Sequence, residues 1–156
     1  MLRIEKVAGH DVLMESDIPF LKLFRKGKVR EVYEIGEYLL IVATDRISAF
    51  DVIMKSGVPR KGIYLTKQSA FWFKYLKKEG FDTHFVSDDI DEIVKITGEN
   101  RLRELKWLEG RVMLGKRAQV LPVEAVCRFR IFGSAVTALR TDTWIWDPIE
   151  AEGGLK

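Results

Sequence analysis

Residues 29–43 read VREVYEIGEYLLIVA, and this stretch decides the fold. Two apolar, β-branched segments, residues 29–33 and 38–43, flank the short run Glu34-Ile35-Gly36-Glu37. Segments of this kind on either side of a glycine-containing loop are typical of a β-hairpin. We therefore expect two antiparallel strands here, with the rest of the chain arranged around them.

A long helix is the next element predicted outward from this hairpin. Apolar residues recur at steps of three and four over residues 65–79, and they would share one helix face: Leu65, Ser69, Trp72, Tyr75 and Leu76. Aromatic stripes at helical spacing are usually core, so we expect this face to be buried.

Shorter elements complete the predicted architecture. Strands are expected at residues 49–54, 83–86, 111–120 and 121–132, and short helices at residues 88–95 and 101–108. The sequence thus predicts an α+β fold, with a mainly antiparallel sheet and helices packed against it.

Composition excludes several classes of protein. The chain has 156 residues, of which 47% are hydrophobic and 11% aromatic, enough for a packed core and too apolar for a disordered protein. No apolar run approaches the length of a membrane span, and no signal-type stretch opens the chain. The one cysteine, Cys127, excludes an internal disulfide framework. We expect a cytoplasmic protein that does not bind membranes.

The excess of positive charge is local and lies near one glycine. The net charge of +3 is weak for a nucleic-acid-binding protein, and we expect no nucleic-acid partner. Residues 22–30, however, hold five basic side chains and no acid. Gly27 would let the backbone approach a ligand, and Lys28 and Arg30 would donate charge-assisted hydrogen bonds to a phosphate. A solvated basic turn is the alternative, because the spacing matches neither a Walker loop nor G-x-G-x-x-G.

A second polar stretch follows the strand at residues 38–43. Thr44, Asp45, Arg46, Ser48 and Asp51 lie within eight residues, which is typical of a recognition loop at a strand end. Ordinary side-chain hydrogen bonds within turns explain the same residues equally well.

A third stretch places charges on one face of a predicted strand. Alternation over residues 121–132 puts Glu124, Arg128 and Arg130 on the same face. Arg128 followed by Gly133-Ser134 would suit a carboxylate or phosphate clamp. A solvent-facing strand is the alternative, and Cys127, on the other face, is expected to be a buried and inert thiol.

Taken in order, four stretches resemble the SAICAR synthetase (phosphoribosylaminoimidazole-succinocarboxamide synthase) family. The similar segments are residues 27–33, 43–51, 61–73 and 121–134, and the resemblance covers about residues 20–135. It implies a kinase N-lobe-like lobe at residues 1–118 and the beginning of an ATP-grasp-like second lobe at residues 119–156.

The resemblance also implies a reaction and its ligands. The family uses ATP and Mg²⁺ to join L-aspartate to carboxyaminoimidazole ribonucleotide, through an acyl phosphate, giving SAICAR, ADP and phosphate. The implied ATP-binding residues are Gly27, Lys28, Arg30 and Glu124. The implied substrate-binding residues are Asp45, Arg46, Ser48, Asp51, Arg128 and Ser134. A homo-oligomer is left open.

The sequence departs from the family in two respects. Phe129 stands where the family has a small glycine, and Arg130 replaces a usual aromatic residue. The later family signature Leu-Ile-Asp-x-Lys-x-Glu-Phe-Gly, whose acids are expected to help bind the magnesium nucleotide, does not occur. We therefore expect a truncated member. The alternative function is a catalytically inactive remnant that acts as a nucleotide-binding or interaction module.

Overall fold

The computed structural model describes residues 1–119 and the single positions Pro122, Arg130 and Val136. The chain divides into two units, Met1–Gln119 and Val120–Lys156, and every element below belongs to the first. None of the helices in this described part has the length and apolar character needed to cross a membrane.

Nine strands and two α-helices make up the described unit. The strands are β1 (Arg3–Val7), β2 (His10–Glu15), β3 (Lys22–Lys26), β4 (Arg30–Ile35), β5 (Tyr38–Ala43), β6 (Ser48–Ala49), β7 (Val52–Ile53), β8 (Phe85–Ser87) and β9 (Val112–Lys116). The helices are α1 (Lys61–Lys78) and α2 (Ile90–Thr97), followed by two short 3₁₀ helices at Asn100–Glu104 and Lys106–Leu108.

A five-stranded sheet of order β3-β4-β5-β9-β8 forms the centre, and all of its neighbouring strands are antiparallel. β4 and β5 pair from Arg30↔Ala43 to Ile35↔Tyr38, so the predicted hairpin is confirmed. Its turn is two residues long, and Gly36 adopts a φ of 57° that favours glycine. The α+β class with a mainly antiparallel sheet is confirmed. The likeness to a kinase lobe and the nature of the second lobe stay predictions, as does the domain boundary at residue 118.

One face of this sheet carries most of the core. Alternate residues of β4, β5 and β9 point to it and pack against α2 and the two 3₁₀ helices. Its buried members include Tyr33, Ile35, Leu40, Val42, Val112, Leu114, Ile93, Leu102 and Leu108. The opposite face is covered in part by α1, where Ala70 and Phe73 contact Ile41, Phe85 and Met113.

The predicted buried face of α1 is wrong. Leu65, Trp72, Tyr75 and Leu76 are 36–52% exposed, and the buried residues of the helix are Gly62, Thr66 and Ala70. The small residues face the sheet because the helix approaches it closely: a Cβ on Gly62 would lie 2.3 Å from the carbonyl oxygen of Ala43. Both faces have the same helical period, so periodicity predicts the helix but not the face that packs.

The other predictions differ from the structure in detail. Residues 49–54 form the small hairpin β6–β7 instead of one strand, because Phe50 and Asp51 adopt φ values of 49° and 64° and reverse the chain. β8, α2, the 3₁₀ helices and β9 lie close to their predicted positions, whereas the hairpin β1–β2 and strand β3 were not predicted. The strand predicted at residues 121–132 lies outside the described residues.

Candidate functional site

A tight basic turn joins β3 to β4. The N–H of Gly27 donates to the carbonyl oxygen of Arg30 at 2.8 Å, which closes the turn over residues 27–30. Lys28 and Arg30 both project exposed side chains from it. The turn therefore presents two cations to solvent beside a glycine, as an anion-binding turn requires.

The loop that follows β5 binds the backbone carbonyl groups of this turn through hydrogen bonds. Arg46 donates from Nη2 to the carbonyl oxygen of Gly27 at 3.0 Å and from Nε to that of Lys28 at 2.8 Å. Thr44 donates from Oγ1 to the carbonyl oxygen of Val29 at 2.8 Å. Three successive carbonyl groups of the turn are thus bound by residues 44 and 46.

Asp45 ties the same loop to three other parts of the chain. Its carboxylate accepts from the N–H groups of Leu13 and Gly62, each at 2.8 Å, and from Nη1 of Arg111 at 3.0 Å. The side chain is fully buried. A buried carboxylate is costly unless it is paired and hydrogen-bonded, and these three donors meet that need. Asp45 therefore joins β2, the first turn of α1 and the residue before β9.

Arg46 is buried to the same degree and forms an internal ion pair. Its Nη1 lies 2.7 Å from Oε1 of Glu31, and both side chains are at most 3% exposed. The other oxygen of Glu31 accepts from the N–H of Ser16 at 2.6 Å and from the Ser16 hydroxyl. The resemblance implied that Asp45 and Arg46 help to shape the substrate pocket, and this role stays a prediction. In the structure both side chains have internal partners, so they would act on the pocket by holding the surrounding backbone in place.

The hairpin β6–β7 brings a predicted substrate residue to the basic turn. Nζ of Lys28 lies 2.5 Å from Oδ1 of Asp51, at the tip of the hairpin. The hydrogen bond and the charge of Lys28 hold the pKa of Asp51 below its ordinary value. Because both side chains are largely exposed, this pair is weak, and a ligand charge can replace either partner. Ser48 is half-buried in β6, on the same hairpin.

A third cation stands near Arg30, at the start of α1. Burial lowers the pKa of Lys61, the charge of Arg30 lowers it further, and Asp45 opposes both effects. The effect of Arg30 on the pKa of Lys61 indicates that positive charge extends from the turn towards the start of α1. Lys61 was not among the predicted site residues. The signal for it was its place in the third similar segment.

An apolar cavity of about 140 Å³ adjoins this positive region, between the sheet and α1. Arg30 and His84 line it together with apolar and hydroxyl side chains, which are those of Ile41, Ala43, Leu65, Thr66, Ser69, Phe73 and Met113.

The predicted residues Glu124, Arg128 and Ser134 lie outside the described residues, and their roles stay predictions. Within residues 1–119, no three His, Cys, Asp or Glu side chains are placed to hold a metal ion together. The exposed cations of the basic turn are donors suited to an anion such as phosphate. They do not by themselves make a magnesium site.

Comparison with known proteins gives consistent matches. The family model described as SAICAR synthetase matches residues 23–150. The phosphoribosylaminoimidazole-succinocarboxamide synthase of Thermodesulfovibrio yellowstonii is 46% identical over 124 residues, which cover 80% of this chain and 41% of the relative. The synthase of the same name from Syntrophotalea carbinolica is 45% identical over 123 residues, or 79% and 40% of the two chains.

Solved structures agree with these sequence matches. A structure titled SAICAR synthase has a TM-score of 0.69 at 38% identity, covering 82% of this chain and 45% of its own. The Saccharomyces cerevisiae SAICAR-synthase complexed with SAICAR has a TM-score of 0.67 at 38% identity, covering 82% and 44%. The chain spans about two fifths of the length of the curated relatives named above. The sequence and structural matches place this chain in the SAICAR synthetase family.

Proposed function

We propose that residues 1–119 form the ATP-phosphate-binding lobe of a SAICAR synthetase. The reaction is the ATP-dependent ligation of L-aspartate to carboxyaminoimidazole ribonucleotide, with SAICAR, ADP and phosphate as products and an acyl phosphate on the path. ATP, when bound with Mg²⁺, supplies the phosphoryl group that activates the carboxylate. The family membership supports the reaction type, and the basic turn supports the place of the phosphates.

The observation that carries this proposal is the contact between Lys28 and Asp51. It joins the turn proposed to bind phosphates to the hairpin proposed to bind the substrate, at an N–O distance of 2.5 Å. Phosphoryl transfer needs the two ligands side by side, and positioning of this kind is a main source of rate acceleration.

The described residues divide the work as follows. Gly27 allows close approach of the backbone, and Lys28 and Arg30 donate charge-assisted hydrogen bonds to phosphate oxygens. Ser48 and Asp51 face the substrate, while Asp45 and Arg46 hold the loop between them. Glu124 is proposed to lie beside the nucleotide, and Arg128 and Ser134 to grip the ribonucleotide. The magnesium ligands are proposed to lie outside residues 1–119, and a cytoplasmic location stays a prediction.

A second function is a nucleotide-binding or interaction module without catalysis. It is favoured by the basic turn itself, because the exposed Lys28 and Arg30 can bind a phosphate without any catalytic step.

Calorimetric titration with ATP and Mg²⁺ tests the phosphate site. We expect Lys28→Ala and Arg30→Ala each to weaken binding by roughly tenfold, the loss of about one charge-assisted hydrogen bond. Lys22→Ala is the matched control, because Lys22 is an exposed lysine of the same sheet that pairs with Glu34. Equal affinities in all three variants would remove the turn from the site.

Turnover separates the two functions. The chain is mixed with ATP, Mg²⁺, L-aspartate and carboxyaminoimidazole ribonucleotide, and ADP and SAICAR are followed. Formation of both supports the ligase, and ATP binding without turnover supports the module. A chain that neither binds ATP nor turns over contradicts both.

A further inference from the structure

We propose that Arg46 is a positioning residue that aims the backbone N–H groups of Lys28 and Val29 at the nucleotide phosphates. The inference deepens the function proposed above and rests on it for the identity of the ligand. Arg46 acts through the turn, since its own guanidinium is buried and donates four hydrogen bonds to internal acceptors.

The guanidinium of Arg46 spans two consecutive peptide groups. Nε binds the carbonyl oxygen of Lys28 at 2.8 Å, and Nη2 binds that of Gly27 at 3.0 Å. Nη1 is occupied by Oε1 of Glu31 at 2.7 Å and by the carbonyl oxygen of Met14. A planar fork of donors is suited to holding two neighbouring oxygens, which the point charge of a lysine cannot match.

Because Arg46 fixes these two carbonyl groups, it also fixes the direction of the N–H groups in the same peptide units. The peptide bonds of the turn are trans, and in a trans peptide the C=O and N–H groups point in opposite directions. Two carbonyl groups held towards buried Arg46 therefore turn the N–H groups of Lys28 and Val29 away from it. Both amides belong to the turn whose exposed cations reach solvent.

These two N–H groups are free to bind a ligand. Among the hydrogen bonds of residues 1–119, neither the N–H of Lys28 nor that of Val29 donates to a protein acceptor. Successive N–H groups that converge from a turn form an anion-binding concavity. With the side chains of Lys28 and Arg30 on the same turn, the arrangement supplies both backbone and charged donors for phosphate.

Glu31 makes a buried arginine tolerable at this place. Its carboxylate neutralises the charge of Arg46, and its second oxygen is satisfied by Ser16. Both side chains are at most 3% exposed, so the pair contributes by its position beneath the turn and not as a surface charge.

The first experiment compares two variants of the pair in the ligand-free chain. Glu31→Gln removes the ion pair but leaves Arg46 its carbonyl partners. The double variant Glu31→Gln with Arg46→Met removes the grip while leaving no unpaired buried charge. We measure ¹⁵N order parameters for Lys28 and Val29, together with the urea midpoint of each variant. We expect order parameters of about 0.85 in the wild type and in Glu31→Gln, and order parameters below about 0.6 in the double variant.

The second experiment measures binding of ATP and Mg²⁺ by the same variants. We expect the affinity for ATP to fall by about tenfold or more in the double variant, because binding must then also supply the free energy that orders the turn. In folded Glu31→Gln the affinity should stay near that of the wild type. Arg46→Lys keeps the charge beside Glu31 and serves if the double variant does not fold. It is expected to lose order in the turn and affinity to a smaller extent.

The outcomes are separable. The positioning role is overturned if the order parameters of Lys28 and Val29 stay at the wild-type value without Arg46. It is also overturned if the loss of ATP affinity in each variant is proportional to its loss of stability in urea. If the wild type binds no ATP, the proposed function fails. The order parameters then still decide whether Arg46 holds the turn.

Discussion

Two regions of this lobe contrast in what they bury. The buried charge cluster, made of Glu31, Asp45, Arg46 and Arg111, is between 0% and 7% exposed. The outer face of α1, made of Tyr64, Phe71, Trp72, Tyr75 and Leu76, is between 37% and 64% exposed. Charged residues lie inside and aromatic residues outside, the reverse of the usual distribution.

The difference shows what decides burial in this fold. The loop after β5 and the turn after β3 bring backbone carbonyl and N–H groups into the interior, and those groups need charged partners. The outer face of α1 lies away from the sheet, because the small residues Gly62, Thr66 and Ala70 occupy the contact. Its aromatic rings pack edge to face. The ring centroids of Phe71 and Trp72 lie 5.3 Å apart, and those of Trp72 and Tyr75 lie 5.9 Å apart.

The largest effect is expected from Asp45→Ala, in the buried charge cluster. It removes the acceptor for the N–H groups of Leu13 and Gly62 and leaves Arg111 without its carboxylate. We expect the free energy of unfolding, from urea denaturation, to fall by about 3–5 kcal/mol. The matched control is Asp88→Ala, which breaks the exposed pair with Lys74 and should cost less than about 1 kcal/mol. Equal losses would contradict the contrast.

Gly62→Ala tests the close approach of α1 to the sheet. The new methyl group would lie 2.3 Å from the carbonyl oxygen of Ala43, so backbone must move. We expect a loss of about 1–3 kcal/mol in thermal or urea unfolding. Gln68→Ala, in the same helix but exposed, should change stability by less than about 0.5 kcal/mol. A stabilised Gly62→Ala, as expected for alanine in an exposed helix, would show that the contact is loose.

The alkaline pH dependence of stability tests the interior beside the cluster. Burial raises the pKa of Tyr33 above its ordinary value of 10.0, and the charge of Glu31 adds to this, while the hydrogen bond with Ser16 opposes it. A raised pKa favours the neutral phenol in the folded state. This stabilisation is therefore complete below pH 10.0 and is lost as the pH rises towards the folded-state pKa.

We expect the free energy of unfolding to decline above this pH by up to about 1.4 kcal/mol per pH unit. Tyr33→Phe should reduce that slope. Tyr64→Phe, which deletes a hydroxyl from the outer face of α1, is the control and should leave the slope as in the wild type. If the wild type, Tyr33→Phe and Tyr64→Phe all showed the same slope, the alkaline loss of stability would come from groups other than Tyr33.

The smallest effect is expected from Trp72→Ala, at the centre of the outer face of α1. The ring is 52% exposed, so its removal should lower the free energy of unfolding by about 1 kcal/mol or less. Phe73→Ala, on the next residue, should cost about 2 kcal/mol because Phe73 packs against the sheet-side cluster of Ala70, Phe85 and Met113. A larger loss from Trp72→Ala than from Phe73→Ala would mean that the outer face is covered.

Local patterns predicted much of the fold. The hairpin of β4 and β5 follows from β-branched segments around Gly36, and α1 follows from its period of three and four. The hairpin β1–β2 escaped prediction because its residues alternate weakly between polar and apolar. The turn at Phe50 and Asp51 was not predicted because Phe50 is a residue type that rarely adopts a positive φ, and Asp51 alone is a weak turn signal.

The candidate site was predicted in part. Lys28 and Arg30 were identified from their charge beside Gly27, and the structure places both on an exposed turn. Asp45 and Arg46 carry the same kind of side chain as Asp51, and the sequence does not distinguish those that meet solvent from those that hold the backbone. Lys61 joins the site only because α1 starts beside Arg30.

The sequence by itself determined the hairpin of β4 and β5, the helix α1, the antiparallel α+β class and the family, because hydrophobic period, turn residues and ordered motifs are local properties of the chain. Only the tertiary structure decided which charged side chains lie inside and which face of α1 meets the sheet. Those outcomes depend on distances between groups far apart in the sequence. The carbonyl oxygens of Gly27 and Lys28 meet Arg46, and that of Ala43 meets Gly62.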